Sequence, residues 1–320
     1  MKHLQLKTDS YNYILKSFAE WLDILGYVPH TVDRMPSAIK EFLHFLETKN
    51  ITSIKNINNN LIKEHYRKLK QRPNTRRGGG LSNNSLNKHL QALNTFSNYL
   101  RQSGRLNLSK LNIRTEEENQ ELKDILTQEE IQQLYKACDL HPNTHPSRGN
   151  YFYQALALRD KAMLTIFYAC GLRRSEGIHL DIGDIHAEKG YIHVRKGKQH
   201  KERLVPINNS ALTHLQNYLY ESRPHFTSNE KLEAFFISER GTRMIGHSLY
   251  LRLKLLVQRV DNINLQYKNI GLHSLRHSIA THLLQNGMQL EAIAKFLGHS
   301  SLESTQIYTH LLEKEEANNN

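Results

Sequence analysis

Apolar residues recur at three- and four-residue intervals along most of this chain, and residues 190–207 break that helical period with short β-like runs. Tyr11–Leu25 places Ile14, Leu15, Phe18, Leu22 and Leu25 on one stripe and stops at Gly26. Pro36–Thr48 repeats the pattern with Ile39, Phe42, Leu43 and Leu46. Leu61–Lys70 follows an asparagine-rich loop, and Leu86–Ser103 carries Leu86, Leu90, Leu93, Phe96 and Leu100 before Gly104. Residues 1–105 are therefore expected to be a helical bundle. Residues 106–122, with their charged TEEENQE core, lack periodicity and are expected to link two domains. LTQEEIQQLYKA then opens a second domain over 123–312, with Thr127 as N-cap and Glu130 in the capping-box position. Within it, YIHVR and RLVPI bracket KGKQHKE as a hairpin would, and AFFIS is another short β-like run before GTR and a long helix across Leu249–Val260. Residues 313–320 are a polar tail. The expected fold class is mainly α: a helical N-terminal bundle plus a mixed α/β domain, mostly helical with a small hairpin sheet.

The balance of charge narrows the partners. Forty-three Lys and Arg against 31 Asp and Glu give a formal net charge of +12, a field that concentrates polyanions. A membrane is the weaker candidate. The longest apolar run, Ala162–Leu172, is too short to span a bilayer and is fenced by Arg159, Lys161, Arg173 and Arg174. No sustained apolar stretch follows the first lysine, so the start does not read as a signal peptide. Two cysteines make no disulfide framework, which fits a reducing cytoplasm, and Cys170 inside the apolar run reads as a core residue. Cys138, His141 and His145 lack a second ligand pair of matching style, so a loop insertion is the better account and no metal is expected.

Basic residues gather first in RKLKQRPNTRRGGG, where Arg67, Lys70, Arg72, Arg76 and Arg77 stand with no acid among them. A solvated loop is the plain alternative to a phosphate-contacting loop feeding a helix that starts near Ser82 and Ser85 and carries Lys88. Four polar clusters follow in the second half. In GLRRSEGIHL, Gly171 can end the apolar helix, leaving Arg173 and Arg174 at its terminus with Glu176 three residues past Arg173. Such arginines can complement a helix dipole, or an Arg held by a carboxylate can be fixed for a bidentate phosphate contact. The hairpin turn offers Lys196, Lys198 and Lys201, as edge protection or as groove-reaching cations. HSLRHSIATHLLQNG reads as a helix with Leu272, Leu275, Ile279 and Leu283 on an apolar stripe and His273 and Arg276 one turn apart on the next. A buried Arg beside a His is costly without an anion to meet. Finally, MQLEAIAKFLG spaces Leu290, Ile293, Ala294 and Leu297 as a helix closed by Gly298, and SSLE offers Ser300 and Glu303 as the capping box of another helix carrying Tyr308. His299 falls in the turn between. Along one straight helix, nine residues would separate His299 from Tyr308 by ~13 Å, whereas a break lets both face one target. A helix-turn-helix reader of DNA has the same outline.

Together these clusters suit a phosphodiester. Its non-bridging oxygens need cations as charge builds in the transition state. A phenol with pKa ~10 needs nearby cations to become a nucleophile, and the departing 5′ oxygen needs an acid. Neither a Walker loop nor a carboxylate cage for Mg²⁺ is evident, so the expected chemistry is a strand transfer without cofactor, metal or ATP.

The ordered motifs GLRRSE, GKQHKERLVP, HSLRHSIATHLL and LGHSSLESTQIYTH resemble those of the tyrosine recombinases, the integrase family that includes phage integrases and Xer-type resolvases. The resemblance spans most of residues 120–312, and the N-terminal helices look like the family's core-binding domain. It implies that Tyr308 attacks the scissile phosphate and keeps a 3′-phosphotyrosine link, while Arg173 and Arg276 clamp the non-bridging oxygens. It further implies that His273 assists proton movement, His299 donates to a phosphoryl oxygen, Lys198 protonates the leaving 5′-hydroxyl and Glu176 holds the first arginine or the histidine side of the pocket. Arg67, Lys70, Arg72, Arg76, Arg77, Lys88, Arg174 and Lys201 would contact DNA. The implied partners are double-stranded DNA with inverted-repeat half-sites and a homotetramer, or a hetero-tetramer with a related recombinase, acting through a Holliday junction in integration, excision, inversion or dimer resolution. GKQHK lacks the second glycine common in this turn, and only LLEKEEANNN follows His310, where the family often docks a C-terminal helix on a neighbour. The competing functions are a type IB topoisomerase and a DNA-binding regulator in which Tyr308 is structural.

Overall fold

In a computed structural model of the chain, the structure describes residues 4–73, 78–109, 111–117, 124–141, 149–195, 202–229 and 231–298. The chain divides into two compact units, residues 1–121 and 122–320.

The first unit holds α1 (Asp9–Ile24), α2 (Pro29–Glu47), α3 (Asn59–Gln71) and α4 (Asn83–Gln102). Their apolar stripes meet in one core, where Ile14, Phe18, Leu22, Ile39, Phe42, Leu43, Leu46, Leu93, Phe96 and Leu100 are buried. Asn58 caps α3 by accepting from the N–H groups of Asn60 and Leu61, and Ser82 caps α4 by accepting from that of Ser85. Gly104, at φ +66°, ends the last helix. One boundary differs from the sequence reading. Pro36 lies inside α2, whose first residue is Pro29, because a Pro at N1 forfeits no intrahelical hydrogen bond and starts the helix earlier. Residues 106–117, expected as linker, add to this unit: Leu108 and Leu111 are buried in its core, and Glu116 is held by the side chains of Asn87, Tyr66 and Lys70.

The second unit opens with α5 (Gln128–Ala137), whose capping box is formed as expected. Thr127 Oγ1 accepts from the Glu130 N–H at 3.2 Å, and Glu130 Oε2 accepts from the Thr127 N–H at 2.8 Å. The apolar helix α6 (Asn150–Leu164) continues through a π-helical turn, Thr165–Ala169, to buried Cys170. After the short α7 (Arg174–Ile178) come β1 (Ile185–His186), β2 (Tyr191–Val194) and β3 (Arg203–Pro206), an antiparallel sheet in the order β1–β2–β3, with Val194 opposite Arg203. Then follow α8 (Asn209–Asn217), α9 (Gly246–Arg259), α10 (Ile263–Tyr267), α11 (Leu272–Gln285) and α12 (Leu290–Leu297).

Two local expectations change. AFFIS forms single bridges, Ala234 with Asp181 and Ile237 with Arg243, rather than a strand. Its backbone is completed by a side chain instead: the Tyr218 hydroxyl donates to the Phe235 carbonyl at 2.9 Å and accepts from the Ile237 N–H at 3.0 Å. On α11 the apolar stripe is incomplete, since Ile279 and Leu283 are half-buried while Ser274, Ser278 and Thr281 are fully buried. Those hydroxyls meet their needs locally: Ser278 donates to the Ser274 carbonyl and accepts from the Leu126 N–H, and Thr281 donates to the His277 carbonyl. Satisfied and small, they let neighbouring segments pack close. Among the described residues, no helix is long and apolar enough to cross a membrane.

Candidate active site

Glu176 is the centre on which the conspicuous charges of the second unit converge. It is the third residue of α7, so its carboxylate reaches back to the N–H of Arg173 at 2.8 Å, as an acidic N3 residue does. That turn also brings the Arg173 guanidinium to Glu176 Oε1 at 2.7 Å. From β3, Arg203 grips the same carboxylate with both terminal nitrogens, each at 2.9 Å. From α11, Arg276 Nη1 stands 3.9 Å from Glu176 Oε2. Three guanidinium groups thus share one carboxylate whose side chain is only 1% exposed. Burial alone would raise this carboxyl, but hydrogen bonds and charge from Arg203, followed by Arg173, outweigh it and hold the pKa at about 2.

The same arginines collect the carbonyls at the end of α12. Arg203 Nε donates to Phe296 O at 3.2 Å, Arg276 Nη2 to Leu297 O at 2.6 Å, and Arg173 Nη2 to Gly298 O at 2.6 Å. Arg276 Nη1 also donates to Gly171 O at 2.5 Å, tying α11 to the turn before α7. Carbonyls at a helix C-terminus carry partial negative charge and lack intrahelical donors, so cations settle there. Complementing a helix end and being held by a carboxylate, which the sequence left as alternatives, are thus both realised, although the helix end is that of α12 and not of the apolar helix before Arg173.

Glycines make the convergence possible. Gly171 has φ +58°, and a Cβ there would stand 2.9 Å from Leu297 Cδ2 and 3.1 Å from Phe296 Cε1. Gly298 has φ +66°, and a Cβ would meet Arg203 Cδ at 2.8 Å. A larger residue at either position would strain the left-handed backbone and force these neighbouring side chains to shift.

Arg173, Glu176 and Arg276, named from sequence, are therefore brought together. His273, half-buried one turn before Arg276, lines a cleft with exposed Arg174 and with Tyr250. Lys198, His299 and Tyr308 lie outside the described residues, as do Arg76, Arg77 and Lys201. In the first unit, Arg67 and Lys88 are exposed, whereas Lys70 pairs with Glu116 at 2.9 Å and Arg72 with Glu41 at 2.7 Å. The acids absent from the basic stretch itself are supplied from α2 and from the segment after α4.

Arg203 is the residue that sequence reasoning missed. Its signal was present but weak: it opens RLVPI, and charge at the first position of a half-buried strand ordinarily means an edge. The register that sets it over Glu176 is a matter of tertiary structure.

The phage integrase family profile matches residues 124–315. Tyrosine recombinase XerD of Oceanobacillus iheyensis is 33% identical over 234 residues, covering 72% of this chain and 73% of that protein. Tyrosine recombinase XerD of Staphylococcus epidermidis is 29% identical over 302 residues, 94% of each chain. Among solved structures, the XerH site-specific recombinase bound to palindromic difH substrate in a post-cleavage complex superposes with a TM-score of 0.69 at 22% identity, covering 98% of this chain and 89% of that one. The Tn1549 transposon integrase in complex with transposon right end DNA gives a TM-score of 0.68 at 18% identity, covering 92% of this chain and 94% of that one. At these identities the structural likeness is one of fold, and it supports the mainly helical class expected from sequence.

Proposed function

This chain belongs to the phage integrase family, and on that premise we propose that it is a site-specific tyrosine recombinase that breaks and rejoins DNA strands. The observation that carries the mechanism is the sharing of Glu176 by Arg173, Arg203 and Arg276. One carboxylate cannot balance three guanidinium groups, so the cluster suits an incoming anion. A phosphodiester supplies one negative charge, and its pentavalent transition state supplies more. Arg173 and Arg276 are the clamp on the non-bridging oxygens, held in place before DNA arrives by Glu176 and by the carbonyls of Gly171, Leu297 and Gly298.

The phenol oxygen of Tyr308 attacks phosphorus, and its proton passes to His273. The bond from phosphorus to the 5′ oxygen breaks as Lys198 gives that oxygen a proton, leaving a 5′-hydroxyl and a 3′-phosphotyrosine ester. His299, directly after the anchored Gly298, donates to a phosphoryl oxygen. The ester conserves the cleaved linkage, so the 5′-hydroxyl of a partner strand can reverse the attack without ATP. Inverted-repeat half-sites, a homotetramer or a hetero-tetramer with a related recombinase, a Holliday junction and a place in the cytoplasm complete the proposal. The first unit would hold DNA through Arg67 and Lys88, which are exposed, joined by Arg76 and Arg77 of the basic stretch. Whether the exchange serves integration, excision, inversion or dimer resolution depends on where the sites lie, and inverted repeats beside a mobile element would mark the first two.

The test uses a duplex selected by the wild-type protein from a randomised library, then nicked to trap cleavage. A covalent adduct that disappears in Tyr308→Phe is expected. DNA binding with no adduct from the wild type would make the chain a regulator, and supercoil relaxation with no recombinant product would make it a topoisomerase.

A further inference from the structure

Of the three arginines gathered on Glu176, Arg203 is the one without a part in the proposed chemistry. Its main chain is set by pairing with Val194 of β2. Its side chain, 11% exposed, gives one terminal nitrogen to each oxygen of Glu176, both at 2.9 Å, and Nε to Phe296 O at 3.2 Å. The other two arginines hold that carboxylate less fully. Arg173 gives one terminal nitrogen to Oε1 and the other to Gly298 O. Arg276 stands off at 3.9 Å, with its terminal nitrogens on the carbonyls of Gly171 and Leu297.

A forked contact is the geometry in which a guanidinium and a carboxylate satisfy each other most completely. Glu176, 1% exposed, is shut off from water, so its charge must be met by neighbouring cations. Without the fork from Arg203, that charge falls to Arg173 and Arg276, which it draws away from the carbonyls that hold them. The balance of charge points the same way. Three guanidinium groups and one carboxylate carry two positive charges between them. A phosphodiester brings one negative charge and gains another as the pentavalent state forms. With Arg203 gone, one positive charge is left to meet both.

We infer that Arg203 is a positioning residue that takes up the charge of Glu176, so that Arg173 and Arg276 keep theirs for the scissile phosphate. This rests on the recombinase reading above. Arg203 touches no reacting atom in this account, and it is needed only while residue 176 is a carboxylate. Removing the pair whole should then do less harm than removing Arg203 alone, because no unmatched buried carboxylate is left behind. A residue needed only for packing would show the reverse, each further truncation adding to the damage.

The experiment measures single-turnover adduct formation on the selected, nicked duplex at saturating protein and about pH 8, well above the ordinary carboxylate range. It compares the wild type, Arg203→Met, and Arg203→Met combined with Glu176→Gln. Methionine keeps much of the apolar stem without the charge, and glutamine keeps an oxygen for the Arg173 N–H. Arg203→Met is expected to slow the reaction by about 100-fold, and adding Glu176→Gln to bring it back to within about 10-fold of the wild type. A double variant as slow as Arg203→Met, or slower, overturns the inference, because Arg203 would then be needed for itself. So does Arg203→Met cleaving at the wild-type rate, or a double variant that circular dichroism shows to be unfolded. Should Arg203→Met alone not fold, the double variant decides: a rate within about 10-fold of the wild type supports the inference and a lower one overturns it. Failure of the recombinase reading looks different: the wild type itself would form no Tyr308-dependent adduct.

Discussion

One buried ionisable group in each unit is accommodated in the opposite way. In the helical unit, His65 sits 5.3 Å from the ring of Phe42 and 5.2 Å from that of Phe45, and burial pushes its pKa down to about 4. It is accommodated by staying neutral. In the second unit Glu176 is just as deeply buried, yet its pKa is driven down to about 2 by the arginines around it. It is accommodated by staying charged. A neutral buried base needs no counter-charge from its neighbours, so His65 can sit among the aromatic rings of the first unit. A charged cluster holds only while every member is present, and such a cluster is useful where another anion is to be received.

The largest effect that tests this contrast is Glu176→Gln. Removing the carboxylate leaves Arg173, Arg203 and Arg276 facing one another, and the second unit should lose about 3–5 kcal/mol. Trp21, the only tryptophan in the chain, lies against the core of the first unit. Its fluorescence therefore follows that unit, while far-ultraviolet circular dichroism follows both. In urea, Glu176→Gln should move the dichroism transition and leave the Trp21 transition in place. If both move together, the units are not energetically separate.

Acid should remove these two contributions in order. The folded pKa of His65 lies below its unfolded value of 6.5, so the unfolded chain binds the proton first. Its contribution is complete above pH 6.5 and fades as pH falls towards about 4, amounting to about 3 kcal/mol. His89, likewise lowered by burial, adds in the same direction. Glu176 has a folded pKa below its unfolded 4.5, so its contribution is lost only as pH falls from 4.5 towards about 2. Urea titrations at successive pH values should show the Trp21 transition weakening as pH falls from 6.5 towards about 4, and His65→Phe should flatten that early decline. An early decline that persists unchanged in His65→Phe would assign it to other groups.

The smallest effect compares two glycines with the same backbone. Gly104→Ala, with nothing within 4 Å of the new methyl, should lose about 1 kcal/mol from its left-handed φ alone. Gly171→Ala adds a collision with Leu297 and Phe296 and should lose about 1–3 kcal/mol more, with a matching drop in cleavage rate. Equal losses would mean that α12 yields without disturbing the arginines.

Much of the architecture was legible because helices announce themselves locally. The four stripes of the first unit, the caps at Ser82 and Thr127, the terminal Gly104 and Gly298, and the two strands around the lysine turn all follow from residues a few positions apart. Pro36 misled because a proline is best tolerated in the first turn of a helix, and here Pro29 already sets that turn while Pro36 sits inside α2. AFFIS misled because its burial, not its hydrogen bonding, explains its apolar residues.

What the sequence determined by itself was the set of groups and their order: a pair of basic motifs around Glu176, a helix carrying His273 and Arg276, a helix ending at Gly298, and a tyrosine beyond it. Only the tertiary structure decided that Arg203 joins them, that Lys70 and Arg72 are engaged by Glu116 and Glu41, and that Arg276 spends its donors on Gly171 and Leu297. The reason is range. Periodicity and capping act over one or two helical turns and leave their mark in adjacent letters, whereas a carboxylate shared by arginines from three separate elements depends on how those elements pack, which no local pattern records.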